Sequence, residues 1–343
     1  MKFQIKSFLV SLSVISLTLT ACRDENKSKD PINSTNIHIN VKVDRMDLQL
    51  SKLSKANPNL LTELDVKYNG LVSFLLYDLY GATLLNVSNL PELIDKYFDN
   101  AYVDSLYSDV AKEFNEDYQK DLNADISDLV TRYKIQLPKA VVPKFYACIS
   151  LFSLDCDTVM GNILLGYDMY MGSKYRYYES KDYPDYVIAR FDKAYILPRI
   201  ARKLYEMQNP KSSSGEMLAE MIESGKLMYF KKQLVPEAPD SLIFELTGQQ
   251  LEWNTKNEKE VWQNILNNKL LYEKTPRATR SYFEDSPFTN ADGVPQESSP
   301  RLGEWVGYQI VNRYMNKTKG ADITKLLNNR NYKQILDESR YRP

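Results

Sequence analysis

Cys22 follows Leu19-Thr20-Ala21, an apolar residue and two small ones, a spacing that suits a thiol to be diacylated before the peptide bond ahead of it is cut. Small neighbours let the backbone enter a peptidase cleft extended. Two or three acyl chains on one cysteine, each methylene contributing about 0.8 kcal/mol, make a near-permanent membrane anchor. An ordinary export signal that contains a cysteine by chance is the bland alternative. Cys148 and Cys156 are the other two cysteines, and in an oxidising compartment a disulfide between them is allowed without being demanded. A small apolar role for Cys148 in a buried strand accounts for it equally well. Residues 167–186 (YDMYMGSKYRYYESKDYPDY) are rich in tyrosine, among them Tyr175, Tyr177, Tyr178 and Tyr186. Such side chains offer rigid contact area with a polar tip, suited to a protein or glycan chain, and the same sequence arises when they are lodged between helices. Glycine-rich phosphate loops, nucleophile elbows and paired-cysteine metal motifs are missing, and Cys148 has no histidine partner in any motif.

The elements that must position these residues begin with an export signal. Lys2 and Lys6 precede an uncharged run from Phe8 to Leu19 that is shorter than the roughly 20 residues a spanning helix needs. Residues 1–21 read as a lipoprotein signal peptide, and 22–36 as a lipidated cysteine plus a polar stalk that buries too little to order itself. Residues 37–343 read as one folded domain, since no Gly/Ser- or Pro-rich linker divides them.

Within that domain, Ile37 to Val43 alternate apolar and polar as a half-buried strand. Asn57 as N-cap with Pro58 at the first helical position predicts a helix to about Tyr80, followed by helices over 90–114 and around 125–133. Between Lys144 and Met171 the dense apolar residues, with turn chemistry at Asp155, Asp157 and Gly161, predict two strands joined as a hairpin. Helices are expected near 196–208, 216–232, 247–272, 300–316, 322–329 and 331–339, with Thr247 and Gln250 as a capping box. The fold class is therefore α+β, mainly helical, with one small sheet.

Removing Lys2 and Lys6 with the signal leaves 42 basic against 45 acidic side chains, a formal charge near −3, which offers nucleic acid nothing. Roughly 320 residues remain, enough for one large domain.

In 197–209 (LPRIARKLYEMQN), Leu197, Ile200, Ala201, Leu204 and Met207 mark one buried helical face, and MLAEMIESGKLMYF follows at 217–230. These segments, with YPDYVIARFDKAYILP (183–198), QLEWNTKNEKEVW (250–262), SPFT (286–289) and SPRLGEWVGYQIVNRYM (299–315), resemble the gliding-motility lipoprotein family of Bacteroidetes, GldB-like, over nearly the whole mature chain. They are also distantly similar to zinc peptidases of uncharacterised function. That second likeness implies a degenerate zincin-like (gluzincin-type) domain. Its His-Glu-x-x-His helix would place the first histidine at Arg202, the catalytic glutamate at Lys203 and the second histidine at Glu206, with Glu223 matching a third ligand. Cations at Arg202 and Lys203 oppose Zn²⁺, and the chain's one histidine, His38, lies far off at the start of the domain. Arg202 and Glu206, four residues apart, could instead pair with Glu223 in an ion cluster, or lie on a solvated face.

The resemblance implies a non-catalytic, lipid-anchored envelope protein of gliding motility or the coupled secretion machinery. It would be held at the membrane, with the outer membrane expected, by acylated Cys22, with other envelope proteins as partners and no metal or cofactor. The alternatives are an envelope metallohydrolase with a non-standard metal site, tested by zinc content, and a surface glycan- or peptide-binding lipoprotein using the tyrosine segment.

Overall fold

The computed structural model describes residues 37–82, 90–209 and 215–343; Cys22, the signal segment 1–21 and the stalk 22–36 lie outside them. Strand β1 (Val43–Arg45) runs straight into the short helix α1 (Met46–Leu50). Helix α2 (Asn59–Lys67) takes Pro58, not Asn57, as its N-cap. The expected continuation to Tyr80 is broken at Asn69 and Gly70, whose φ angles of 52° and 87° are left-handed, a conformation these two residue types adopt at least expense. The chain resumes as α3 (Leu71–Phe74) and widens into a π turn over Leu75–Leu79.

The single helix expected over 90–114 is likewise two, α4 (Leu90–Tyr97) and α5 (Ala101–Glu113). Asn100 starts the second, its side chain accepting from the Val103 amide at 3.1 Å. Helix α6 (Glu116–Gln136) is more than twice as long as the 125–133 segment expected. Its first turns carry only Tyr118 and Leu122 as large apolar side chains, so their periodicity is faint, and Asn115 caps them by accepting from the Tyr118 amide at 3.0 Å.

The alternating segment before β1 pairs with a helix where a strand was expected. The amides of Ile39, Val41 and Val43 donate to Thr131 Oγ1 at 3.0 Å, Ser127 Oγ at 2.8 Å and Asn123 Oδ1 at 2.9 Å on α6. Two extended residues advance about 6.6 Å and four helical residues about 6.0 Å, so the partners stay in step over this short run. Only at Val43 does the chain enter the sheet.

That sheet has four strands in the order β1-β2-β4-β3, with β2 Phe145–Cys148, β3 Cys156–Val159 and β4 Asn162–Gly166. The expected hairpin is β3–β4, closed by Met160 and Gly161 at φ 51° and 76°. Strands β1, β2 and β4 pair in parallel, so the hairpin is half of a mixed sheet rather than the whole of it. Cys148 and Cys156 are both buried free thiols. β4 lies between their strands, which puts them about 10 Å apart, beyond the roughly 7 Å a disulfide spans.

The second half is helical: α7 (Asp185–Ile188), α8 (Ile196–Gln208), α9 (Met217–Leu234), α10 (Asp240–Phe244), α11 (Gly248–Asn267), α12 (Pro276–Thr279), α13 (Leu302–Lys317), α14 (Ile323–Asn328) and α15 (Tyr332–Ser339). The Thr247–Gln250 capping box opens α11 as expected. Helix α9 runs through the core and crosses α13 with the backbones in contact. A Cβ on Gly307 would stand 1.7 Å from the Met221 carbonyl oxygen, and one on Gly225 2.2 Å from the Gly307 oxygen. One continuous apolar cluster extends from Val43 to Tyr341. Among the described residues, no helix is long and apolar enough to cross a membrane. The architecture is α+β and mainly helical, with one small sheet.

Candidate functional site

Helix α8 turns Arg202, Tyr205, Glu206 and Asn209 to one side, as their spacing of three and four requires. Helix α9 answers with Glu220, Glu223, Ser224 and Leu227. Between them lies a cavity of about 350 Å³, bordered also by Ala219, Phe283 and Glu304. The three positions aligned with peptidase ligands, Arg202, Glu206 and Glu223, therefore do share one cleft. Lys203 points elsewhere, its ammonium 3.0 Å from Asp157 Oδ1 on β3 and 3.0 Å from Glu206 Oε2.

The expected ion cluster of Arg202, Glu206 and Glu223 does not form, because each has a nearer counter-charge. Arg202 reaches Glu245 at 3.5 Å, Glu206 takes Lys203, and Glu223 takes Lys226 at 2.8 Å and Arg330 at 2.7 Å. Lys226 has no exposed side-chain surface and also donates to the Asn329 carbonyl at 2.7 Å, so α9 is bolted to the turn after α14. Tyr205 adds a hydrogen bond from its hydroxyl to the Glu223 carbonyl at 3.2 Å.

Behind the cleft is a buried charge network that the sequence did not reveal. Glu245 ends α10 at a left-handed φ of 54°, and its carboxylate meets Arg190 at 3.5 Å, Arg202 at 3.5 Å and Lys231 at 3.4 Å. Burial by itself would raise the Glu245 carboxyl, but Lys231, Arg202, Arg301 and Arg199 outweigh it and hold the group well below the usual carboxylate range. For Lys231 burial wins over Glu245 and pushes the ammonium down to about 8. Arg301, also left-handed at φ 56°, donates to the carbonyls of Phe244 at 2.6 Å and Glu245 at 3.0 Å, and pairs with Asp285 at 2.8 Å. Arg190 shares Asp285 with it.

Alongside, Ser299 Oγ donates to Asn254 Oδ1 at 2.6 Å and Thr289 Oγ1 to the Ser299 carbonyl at 2.9 Å. Segments 183–198, 250–262, 286–289 and 299–315, far apart in sequence, thus meet behind the cleft. The available signal was charge inside apolar runs, Lys231 after MYF and Glu245 within IFEL.

The tyrosine segment folds mostly onto the protein itself. Tyr178 is 1% exposed, its hydroxyl donating to the Asp168 carbonyl at 2.8 Å and accepting from the Met171 amide at 3.0 Å, so it belongs to no surface. Half-buried Tyr175 and Tyr177 face α5, donating to Asp109 at 3.0 Å and Ser105 at 3.3 Å. Tyr186 donates to the Asp285 carbonyl at 3.2 Å, beside the charge network.

The residues at the aligned peptidase positions do not fit a zinc ion. Arg202 and Lys203 are cations, and Glu206 and Glu223 are each occupied by lysine or arginine. His38 stays exposed on the first extended segment. Among the described residues no group of three His, Cys, Asp or Glu side chains is placed to hold a metal.

No curated protein and no solved structure matches the chain. The family described as Gliding motility protein GldB matches residues 26–343, which takes in every segment that builds the cleft and the network, and the chain belongs to that family.

Proposed function

We propose that this protein is a lipid-anchored, non-catalytic component of the gliding motility apparatus or its coupled secretion machinery, a peptidase-like frame that holds a partner instead of cutting it. Family membership supports the motility association, and the Leu19-Thr20-Ala21-Cys22 motif supports anchoring. The observation that carries the non-catalytic reading is Lys203. Where the peptidase likeness needs a general base, an ammonium sits 3.0 Å from each of two carboxylates, which hold its proton against the opposing effect of burial. A protonated lysine in that position accepts no proton from water.

The test has two arms. Cys22→Ala in gliding cells moves the protein from the membrane to the soluble fraction and abolishes movement on surfaces; retention in the membrane sinks the anchor. Elemental analysis of the mature protein purified in detergent finds zinc far below one per chain, and close to one per chain overturns the non-catalytic reading.

A further inference from the structure

After α15 the backbone is pinned by buried Tyr341. Its hydroxyl donates to Glu258 Oε1 on α11 at 3.0 Å, its ring meets Trp262 edge to face with centroids 5.2 Å apart, and the Arg313 guanidinium on α13 lies over it at 4.9 Å. The turn before it is held as well: Lys317 Nζ donates to the Ser339 carbonyl at 3.1 Å and the Tyr341 amide to Ser339 Oγ at 3.1 Å. Arg340 and Arg342 stand on either side of this anchor, so their backbone is fixed while both side chains are exposed. Among the described residues no carboxylate pairs with either guanidinium and neither makes a hydrogen bond.

Both arginines border a groove of about 680 Å³ whose apolar surface comes from Trp262 and Leu266 on α11 and Leu336 on α15. Leu266 is 44% exposed, and Trp262 and Leu336 are partly buried. The Trp262 indole N–H donates to nothing among the described residues and, unlike that of Trp305, is not sealed from solvent. Asp337, an acid in the same lining, is taken by Lys333 at 2.5 Å. The hollow alongside shares Asp337 and Arg340 and adds Lys317 and Glu338, whose charges offset each other. The groove thus presents apolar surface open to solvent beside two uncompensated guanidinium groups.

That combination narrows the occupant. Inorganic phosphate would meet the arginines and leave the apolar surface in water, and a fatty acid brings one carboxylate for two arginines. A flat bilayer reaches the rim of a hollow and not its floor, and nucleic acid needs a longer cationic track than two side chains. A peptide with an apolar side chain between carboxylates matches every part. We propose that the groove between α11 and α15 docks an acidic segment of a partner protein, an apolar side chain lying against Trp262, Leu266 and Leu336 and carboxylates meeting Arg340 and Arg342. Guanidinium and carboxylate pair as planar forks, and the pinned backbone lowers the ordering cost of the contact. A volume of about 680 Å³ is mid-range for ligand sites. The groove shares no lining residue with the cleft between α8 and α9, and the proposal does not depend on the anchor, on motility or on the non-catalytic reading.

Fluorescence anisotropy of a labelled peptide with the mature protein in non-ionic detergent tests it. The peptide carries leucine and phenylalanine between pairs of aspartates; one counterpart replaces the aspartates by asparagine, the other replaces the two apolar residues by serine. The aspartate peptide binds, both counterparts bind about fivefold more weakly or worse, and raising salt from about 50 to 500 mM weakens the first. Arg340→Asn, a residue type that accepts the left-handed φ of 51° at that position, combined with Arg342→Gln weakens binding by about fivefold or more with the urea midpoint unchanged. Leu266→Ser weakens it too. Equal affinity for the aspartate and asparagine peptides, no binding at about 1 mM, or an unchanged affinity in the arginine double variant overturns the proposal. So does displacement of the peptide by phosphatidylglycerol or dodecanoate in the micelles but not by phosphatidylcholine, which assigns the arginines to lipid. A dimer that the arginine double variant dissociates assigns the groove to a second copy of the chain and overturns it equally.

Discussion

Lys231 on α9 and Glu245 at the end of α10 face each other at 3.4 Å, the lysine with no exposed side-chain surface and the glutamate 11% exposed. Glu245 is the shared counter-charge of Lys231, Arg190 and Arg202, so neutralising it strands Lys231 and Arg202 and leaves Arg190 with Asp285 alone. Glu245→Gln should destabilise the domain by about 3–5 kcal/mol in urea at pH 7, whereas Lys231→Met, which leaves Glu245 with two arginines, should be much milder. Equal losses from the two variants would refute the hub. Because the cations depress the Glu245 carboxyl below its ordinary 4.5, its contribution is present above that pH and is lost as the solution is acidified further.

Asp168 works the opposite way. It is fully buried and accepts from the Ser150 amide at 2.7 Å, the Phe152 amide at 2.6 Å and Ser150 Oγ at 3.1 Å. These bonds hold Leu151 and Phe152 at φ 52° and 66°. Burial raises its carboxyl from 3.8 to about 6, against the pull of those donors. A folded value above the unfolded one gives stability that is full below about pH 4 and lost as pH rises through about 6. Relative to Asp168→Asn, the native protein should lose on the order of 3 kcal/mol between about pH 4 and pH 7. A difference that stays flat across that range would count against the assignment.

The α9–α13 crossing admits no methyl group. Gly307→Ala would drive a Cβ into the Met221 carbonyl, with backbone on both sides and no side chain to give way. A loss of 3 kcal/mol or more is expected, or failure to fold. Gly248→Ala, where an added Cβ meets nothing within 4 Å, should change stability by less than about 0.5 kcal/mol. Urea midpoints of the pair check the contrast.

Ser127→Ala removes the acceptor for the Val41 amide while Asn123 and Thr131 keep theirs. A stability loss of about 1–2 kcal/mol is expected, with faster hydrogen exchange at Val41. Unchanged exchange there would show that the amide is held by something else.

The longer helices of the second half could be read from their recurring apolar residues, as Ile200, Ala201 and Leu204 on α8, and from the Thr247–Gln250 box on α11, whereas the short α7, α10 and α12 hold too few residues to show a period. The first half misleads because its breaks sit inside continuous apolar periodicity. Asn100 ends one helix and begins another through a side-chain hydrogen bond that resembles nothing more than a surface asparagine in sequence. The segment before β1 shows the alternation of a strand, yet periodicity reports which face is buried and not whether a strand or a helix supplies the hydrogen bonds. Cleft positions 202, 206 and 223 were named from the peptidase likeness, but their partners Glu245, Lys226 and Arg330 were not. Those come from separate segments that only the tertiary fold brings together.

The run of bonds from Ile39, Val41 and Val43 to α6 has a mechanical meaning. Residue numbers rise along the extended chain as they fall along the helix, so tension entering at residue 37 is directed along the α6 axis, across all three bonds together. The parallel register of β1 on β2 takes the same load next. Such a seam resists in shear and yields as a unit, whereas a hairpin pulled from its open end unzips one rung at a time. A domain gripped in this way meets a pull on residue 37 with all of these bonds at once.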